Sequence, residues 1–223
     1  MIGVVGSGGD LGSQLVERIR LAGLPTATYD PWVDTNTHDS PNAVFEASEI
    51  THWCAPLEAL VKLDTKKCGQ LVLHSSVMGL SYDAIVRSKT RLPNVGFNIV
   101  HCLMNEYGTV NTARGYMSPV VRTHLGSVGL RERVMTLAQH DRTAALTQGA
   151  AMLLCELLLD ELRGINTKDL TPSGKWLLTL IEERAMHWTD ATKHTVLQNP
   201  ALREVFSSGR IEEVFNRYVQ VES

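Results

Sequence analysis

The sequence predicts an α/β fold: a doubly wound parallel sheet at the N-terminus, followed by an all-helical domain. Three observations carry that expectation. The opening apolar run "IGVV" is joined to a helical pattern by a turn holding Gly6, Gly8, Gly9 and Gly12. Short apolar runs then alternate with helical patterns to about residue 140. Beyond that point only helical patterns remain. Strand–helix alternation implies a parallel sheet covered by helices on both faces.

The glycines come first in the chain and in the argument. Glycine weakens strands and helices because it loses the most backbone entropy on folding, so four in one turn point to close approach of backbone to a ligand. A helix that opens directly after the turn presents free N–H groups and the positive end of its dipole, which together bind an anion. Leu11, Leu15, Ile19 and Leu21 mark the expected buried face of that helix, and Gly23 marks its end. The run "PTATYD" reads as a second strand ending in Asp30. An acid about 20 residues after such a turn is where a Rossmann unit holds the adenosine ribose hydroxyls, and its charge favours NAD over NADP. The spacing departs from G-x-G-x-x-G. Counted back from Gly12, Ser7 takes the place of the first glycine; counted from Gly6, Leu11 takes the place of the last. The expected cofactor contacts are Gly6, Gly8, Gly9, Asp10, Leu11, Gly12 and Asp30.

Further strands are expected in "ITHWCAP", "QLVLHSS" and "NVGFNIVHCL", and helices in "LEALVKL" and "LSYDAIVRS"; "GYMSPVVRTH" and "RERVMTLAQH" continue the alternation. A boundary near residue 140 separates a dinucleotide-binding domain (1–140) from a helical substrate and dimerisation domain (141–223). The second domain holds "DRTAALTQGAAMLLCELLLDELRG", "SGKWLLTLIEERAMHWTDATKHTVLQ" and "NPALREVFSSGRIEEVFNRYV". Ala150, Leu153, Leu154, Leu157 and Leu158 make the first of these apolar over more than one face. A small helical domain cannot bury them all, so a homodimer is expected.

Composition sets limits. The 223 residues are 43% hydrophobic with a net charge of −3, which suits a globular core and gives no argument for nucleic acid or a membrane surface as partner. The apolar cluster "AAMLLCELLLDEL" is interrupted by acids and reads as too short to span a bilayer. The start lacks the pattern of a secretory signal. Cys54, Cys68, Cys102 and Cys155 form no C-x-x-C pair, so a cytoplasmic protein with reduced thiols and no metal is expected.

Ligands of open α/β sheets sit beyond the carboxyl ends of the strands. That rule selects Cys54, Ala55 and Pro56, then His74, Ser75 and Ser76, then His101. A histidine near its neutral pKa can take the proton of a hydroxyl as hydride leaves the same carbon, and a serine can orient that hydroxyl. Plainer roles exist for each. Ser76 suits a helix N-cap. His101 suits a strand core, and Arg203 a solvent-facing helix. His74, His140 and His187 suit structural or surface positions, and Trp176 and Trp188 the packing of the helical domain.

The order of motifs resembles the prephenate and arogenate dehydrogenase family over nearly the whole chain. "VVGSGGDLG" matches the family's glycine turn. "LVLHSSVMG" matches D-x-x-S-x-K and places the family serine on Ser76. "GFNIVHCLMNEYG" matches the G-x-H-P-M-F-G-like segment and places the histidine on His101. "HDRTAALTQ" supplies His140, Asp141, Ala145 and Gln148 of H-D-x-x-x-A-x-x-Q. "LQNPALREVF" offers Arg203 for an arginine that binds a substrate carboxylate. The resemblance implies NAD as cofactor and a small carboxylated substrate held by Gln148 and Arg203. It implies His101 as base with Ser76 on the reacting hydroxyl. The reaction implied is oxidative decarboxylation of a cyclohexadienol in tyrosine biosynthesis. Departures are Leu73 and Met78 for the family's acid and lysine, Cys102-Leu103 for Pro-Met, and Met152 for a second histidine. They leave two alternatives: a related dehydrogenase for another small carboxylated hydroxy substrate, and a dinucleotide-binding sensor without turnover.

Overall fold

The computed structural model describes residues 1–209 except 61, 64, 66, 88–95, 103–107, 114, 116, 167, 187–189 and 208. Two compact units divide the chain, Met1–His140 and Asp141–Ser223.

The first unit is a seven-stranded sheet in the order β2-β1-β3-β4-β5-β6-β7. Its strands are β1 (Ile2–Val5), β2 (Thr26–Tyr29), β3 (Ile50–Trp53), β4 (Gln70–His74), β5 (Gly96–Cys102), β6 (Thr109–Ala113) and β7 (Arg131–Met135). The helices between them are α1 (Asp10–Leu21), α2 (Pro41–Ala47), α3 (Leu57–Leu60), α4 (Met78–Arg87) and α5 (Pro119–Ser127). This is the Rossmann-like doubly wound sheet that the alternation predicts. The strand order reverses at β1, so the crevice between the ends of β1 and β3 is the switch point where such sheets take their ligands.

One pair departs from the parallel expectation. β5 and β6 run antiparallel, with His101 opposite Asn111. Only residues 103–108 join them, and a parallel return needs about a dozen residues or more.

Because both faces of the sheet are covered, the strands read as almost continuous apolar runs. Val4, Ile50, Val72 and Val100 pack under Leu15, Val16 and Ile19 of α1 and Val121 and Leu125 of α5. The alternate residues Val5, Trp53, Leu73 and Ile99 pack under Val44 and Phe45 of α2 and Met78 and Ile85 of α4. Leu21 is exposed, against the expectation that it shares the face of Leu15 and Ile19. It stands two residues past Ile19, and residues at that spacing point to different sides of a helix.

The second unit opens within α6 (Leu137–Ala144) and continues as a π-helical turn (Ala145–Gly149), α7 (Ala150–Arg163), α8 (Pro172–Met186), α9 (Asp190–Leu197) and α10 (Pro200–Ser207). The π turn meets α10 where Gly149 admits Leu202; a Cβ there would come within 3.0 Å of the Leu202 methyl groups. On α7 the buried apolar residues are Met152 and Leu159, while Leu154, Leu157 and Leu158 remain exposed. Trp176 is 66% exposed and does not pack the interior of this unit. His187, Trp188 and the end of the last helical pattern lie outside the described residues. The apolar cluster belongs to a helix that runs Leu137–Arg163, 27 residues, a length sufficient to cross a bilayer although the cluster alone is too short. Glu156, Asp160 and Glu161 interrupt that stretch.

Candidate active site at the strand ends

The glycine turn leaves β1 through Gly6, whose φ of +82° is a conformation that favours glycine. A Cβ at Gly12 would overlap the carbonyl oxygen of Gly6, and one at Gly8 would overlap the Val33 side chain. The glycines that sterics require are therefore Gly6, Gly8 and Gly12, one residue wider at the end than G-x-G-x-x-G. Gly9 is the N-cap of α1 and makes no side-chain cap. The amides of Asp10, Leu11 and Gly12 open the helix, where N–H groups have no intrahelical acceptor. Gly8, Gly9 and Asp10 are exposed, so this end faces solvent.

Asp30 is buried at the end of β2 and turned back onto the glycine turn. Its Oδ2 accepts the Gly8 N–H at 3.0 Å, and its Oδ1 accepts the Trp32 N–H at 2.9 Å. Asn36 fixes the loop beyond it: Asn36 Oδ1 accepts the Asp30 N–H at 2.8 Å, and Asn36 Nδ2 donates to the Asp30 carbonyl. Each carboxylate oxygen keeps a second lone pair for a ribose hydroxyl. A cradle closed to a Cβ at Gly6, Gly8 and Gly12 and an acid held beside it fit a dinucleotide.

Cys54, Ala55 and Pro56 follow β3 on the other side of the switch point. The Cys54 N–H donates to the Val5 carbonyl at 2.9 Å, and Pro56 accepts the Trp53 indole N–H at 3.2 Å. Burial, and secondarily Cys102 nearby, push the Cys54 thiol well up, so it stays protonated. Burial raises Cys102 to about 12.

Past β4, the capping role expected of Ser76 falls to its neighbour. Ser75 Oγ accepts the Val77 N–H at 3.1 Å and the Ser81 hydroxyl at 2.8 Å. Ser76 has no hydrogen-bond partner among the described residues, so its hydroxyl is available. The Ser75 N–H donates to the Val100 carbonyl at 2.9 Å, which ties this turn to β5 immediately before His101.

His101 is half-buried at the end of β5, and its Nδ1 lies 3.0 Å from Nε2 of His140. The rings meet nearly edge-on, 80° between planes. His140 is 1% exposed. The expectation of a structural or surface histidine thus resolves as burial against His101. One proton shared between Nδ1 of His101 and Nε2 of His140 couples the tautomers of the two rings and fixes their orientation.

A second histidine group, missed in the sequence, lies under α1 and α5. His52 Nδ1 is 2.9 Å from His74 Nε2, and His52 Nε2 is 2.9 Å from His124 Nε2. Strand register held the signal: His52 pairs with Val72, and His74 stands two residues beyond Val72 on the same face. Burial holds all three neutral, His74 down to about 3, with His101 adding to the effect, and His124 to about 4. Among the described residues, no group of three or more potential ligands could hold a metal ion.

In the helical unit, Gln148 sits in the π turn with its Oε1 buried and without a hydrogen-bond partner. Arg203 is exposed on α10. Three of the residues that depart from the pattern are buried and apolar: Leu73 (2% exposed), Met78 (0%) and Met152 (2%).

No family model matches this sequence, and no curated protein does. Solved structures do match. A Corynebacterium glutamicum protein described as a candidate prephenate dehydrogenase aligns with TM-score 0.76 at 12% identity, covering 100% of this chain and 82% of that one. Prephenate dehydrogenase of Aquifex aeolicus, in complex with hydroxyphenyl propionate and NAD+, aligns with TM-score 0.72 at 15% identity, covering 99% and 92%. Arogenate dehydrogenase of Synechocystis aligns with TM-score 0.56 at 18% identity, covering 96% and 89%. The fold is that of the prephenate and arogenate dehydrogenases. Identities this low establish the shared architecture and leave the chemistry to the residues.

The buried histidines make stability depend on pH. In the unfolded chain each takes a proton near 6.5. In the fold His124 resists protonation down to about 4 and His74 to about 3. Between those limits the unfolded chain binds more protons, so stability is full above about 6.5 and falls as the pH drops, by about 1.4 kcal/mol per unit for each fully shifted group. Urea unfolding between pH 8 and pH 4 should show this decline, and His124→Phe should make it shallower.

Proposed function

We propose that the chain is a cytoplasmic NAD-dependent dehydrogenase of the prephenate and arogenate type. The observation that carries the reading is His101. It stands at a strand end with one nitrogen fixed by His140, and the Ser75 N–H, next to Ser76, is bonded to the carbonyl of Val100 immediately before it. Bound NAD would supply the hydride acceptor. The amides of Asp10, Leu11 and Gly12 would hold its pyrophosphate against the turn of Gly6, Gly8 and Gly9, Asp30 would hold its adenosine ribose, and Cys54, Ala55 and Pro56 would line the site beyond β3. His101 accepts the proton of the substrate hydroxyl through Nε2. Ser76 hydrogen-bonds the same oxygen. Arg203 pairs with a substrate carboxylate and Gln148 orients it; a guanidinium–carboxylate fork is a strong charge-assisted contact. On this reading the product is the aromatic ring formed as carbon dioxide leaves, in tyrosine biosynthesis.

A specific observation supports a second reading. Leu73, Met78 and Met152 place apolar, buried side chains where the family has ionisable ones. Such a change suits a related dehydrogenase with a different small carboxylated substrate, or a sensor that binds the dinucleotide without turnover. NADH formation at about 340 nm with prephenate and with arogenate decides for the first reading. Silence with both, with NAD binding by calorimetry intact, decides against it.

In the active enzyme, His101→Asn should lower turnover by about 10²–10⁴ while NAD affinity and melting temperature stay near those of the parent. A variant destabilised by about 1–3 kcal/mol but fully active per folded molecule would make His101 a core residue instead. NAD should bind at least about tenfold tighter than NADP, roughly 1.4 kcal/mol. Asp30→Ala should erode that preference in titrations with the two cofactors.

We also propose that a second copy covers Leu154, Leu157 and Leu158, whose exposure on one helix is costly in water. Sedimentation should give a dimer for the parent and a monomer for Leu157→Glu.

A further inference from the structure

His74 Nδ1 is buried and has no hydrogen-bond partner. It is the inner end of the row His124–His52–His74, which crosses from α5 over β3 to the carboxyl end of β4. A buried polar nitrogen left unpaired destabilises the fold, so its retention calls for a use.

The proton count of the row suggests one. Three neutral imidazoles carry three N–H protons. Two occupy the N–H···N bonds of the row. The third must therefore sit at one end, on His74 Nδ1 or on His124 Nδ1, and the two arrangements run all the bonds in opposite directions. The row converts from one to the other only when a proton enters at one end and another leaves at the far end. We propose that His74, His52 and His124 form a proton wire that serves the crevice at the strand ends, with His74 Nδ1 as its inner terminus and His124 as its outer one.

This proposal rests on the dehydrogenase reading. His101, which follows the Val100 that pairs with His74 across β4 and β5, is the donor. The step balances as follows. The hydroxyl O–H bond breaks, and its proton passes from oxygen to His101 Nε2. A proton from His101 then reaches His74 Nδ1, directly or across one water. His74 releases its Nε2 proton to His52 Nδ1, His52 its Nε2 proton to His124 Nε2, and His124 its Nδ1 proton to water. No imidazole keeps a net charge, which agrees with burial that disfavours the charged form of all three. A fixed row of this kind is reset when a proton runs back along it. It therefore suits a reaction that lends a hydroxyl proton and takes it back, as an oxidation ending in a phenol does.

The test uses His52→Gln and His124→Phe in the whole chain, labelled with nitrogen-15 at histidine. Glutamine can donate to one neighbour and accept from the other, but it cannot pass a proton. Expected first is long-range coupling without substrate. The nitrogen shifts of His74, which report its tautomer, should change in His124→Phe although those two rings do not bond each other. Expected second, with substrate and NAD, His52→Gln lowers kcat by about tenfold or more, up to the roughly 10²–10⁴ that proton transfer contributes, with KM and NAD affinity unchanged. The parent's dependence of rate on deuterium fraction should be curved and the variant's linear. Unchanged His74 shifts in His124→Phe, or full kcat in a folded His52→Gln, would overturn the wire. A parent inactive on every substrate would overturn the dehydrogenase reading alone, because the tautomer coupling is read without turnover. His52→Phe separates stability from relay: if it melts lower than His52→Gln while the two share the same kcat, the rate loss belongs to the relay.

Discussion

The hydrogen bond from the Gly8 N–H to Asp30 Oδ2, 3.0 Å long, is the constraint on which the cofactor end of the molecule depends. It joins the turn after β1 to the end of β2. It forms only because position 8 carries no Cβ to strike Val33, and because Gly12 lets α1 start against the Gly6 carbonyl. Asn36 then holds the loop that carries Val33. The glycines and the acid are thus one steric and electrostatic unit, and the protein's own backbone packing requires the glycines before any ligand does.

The histidines follow a different rule. Placing imidazoles inside an apolar layer is unfavourable unless each nitrogen finds a partner. His52 has both nitrogens satisfied by other histidines, and His140 is satisfied by His101. Pairing ring with ring keeps the groups neutral and leaves few nitrogens over. One of those left, His74 Nδ1, is buried at the carboxyl end of β4, next to the strand end that carries His101. The two histidine groups lie on opposite faces of the sheet, separated by the alternation of side chains along β4 and β5, and approach each other where the strands end.

The positions that differ from the prephenate and arogenate dehydrogenase pattern differ in one direction. Leu73 belongs to the layer of Trp53 and Ile99, and Met78 closes the same layer from α4. Once such positions are apolar and enclosed, they contribute cohesion in place of charge. The glycine turn and Asp30 keep the pattern, whereas Leu73, Met78 and Met152 are buried apolar residues at positions where it has ionisable ones.

By itself the sequence determined the architecture of the first unit, the glycine turn, Asp30 at the end of β2 and His101 at the end of β5. These depend on local periodicity and on the conformational freedom of glycine, both properties of consecutive residues. Tertiary structure decided the rest. The six-residue link after β5 was present in the sequence, but the antiparallel partner that it imposes on β5 was visible only in the folded sheet. Gly6, Gly8 and Gly12 became the required glycines only when Val33 and the Gly6 carbonyl were brought against them. Ser75 took the turn and freed Ser76, because Ser81 and Val77 face the first serine and not the second. The histidine row could not be read from the chain, since its members stand 22 and 72 residues apart. Register across three strands and the docking of α5 bring them together, and no local pattern encodes a hydrogen bond between residues that distant.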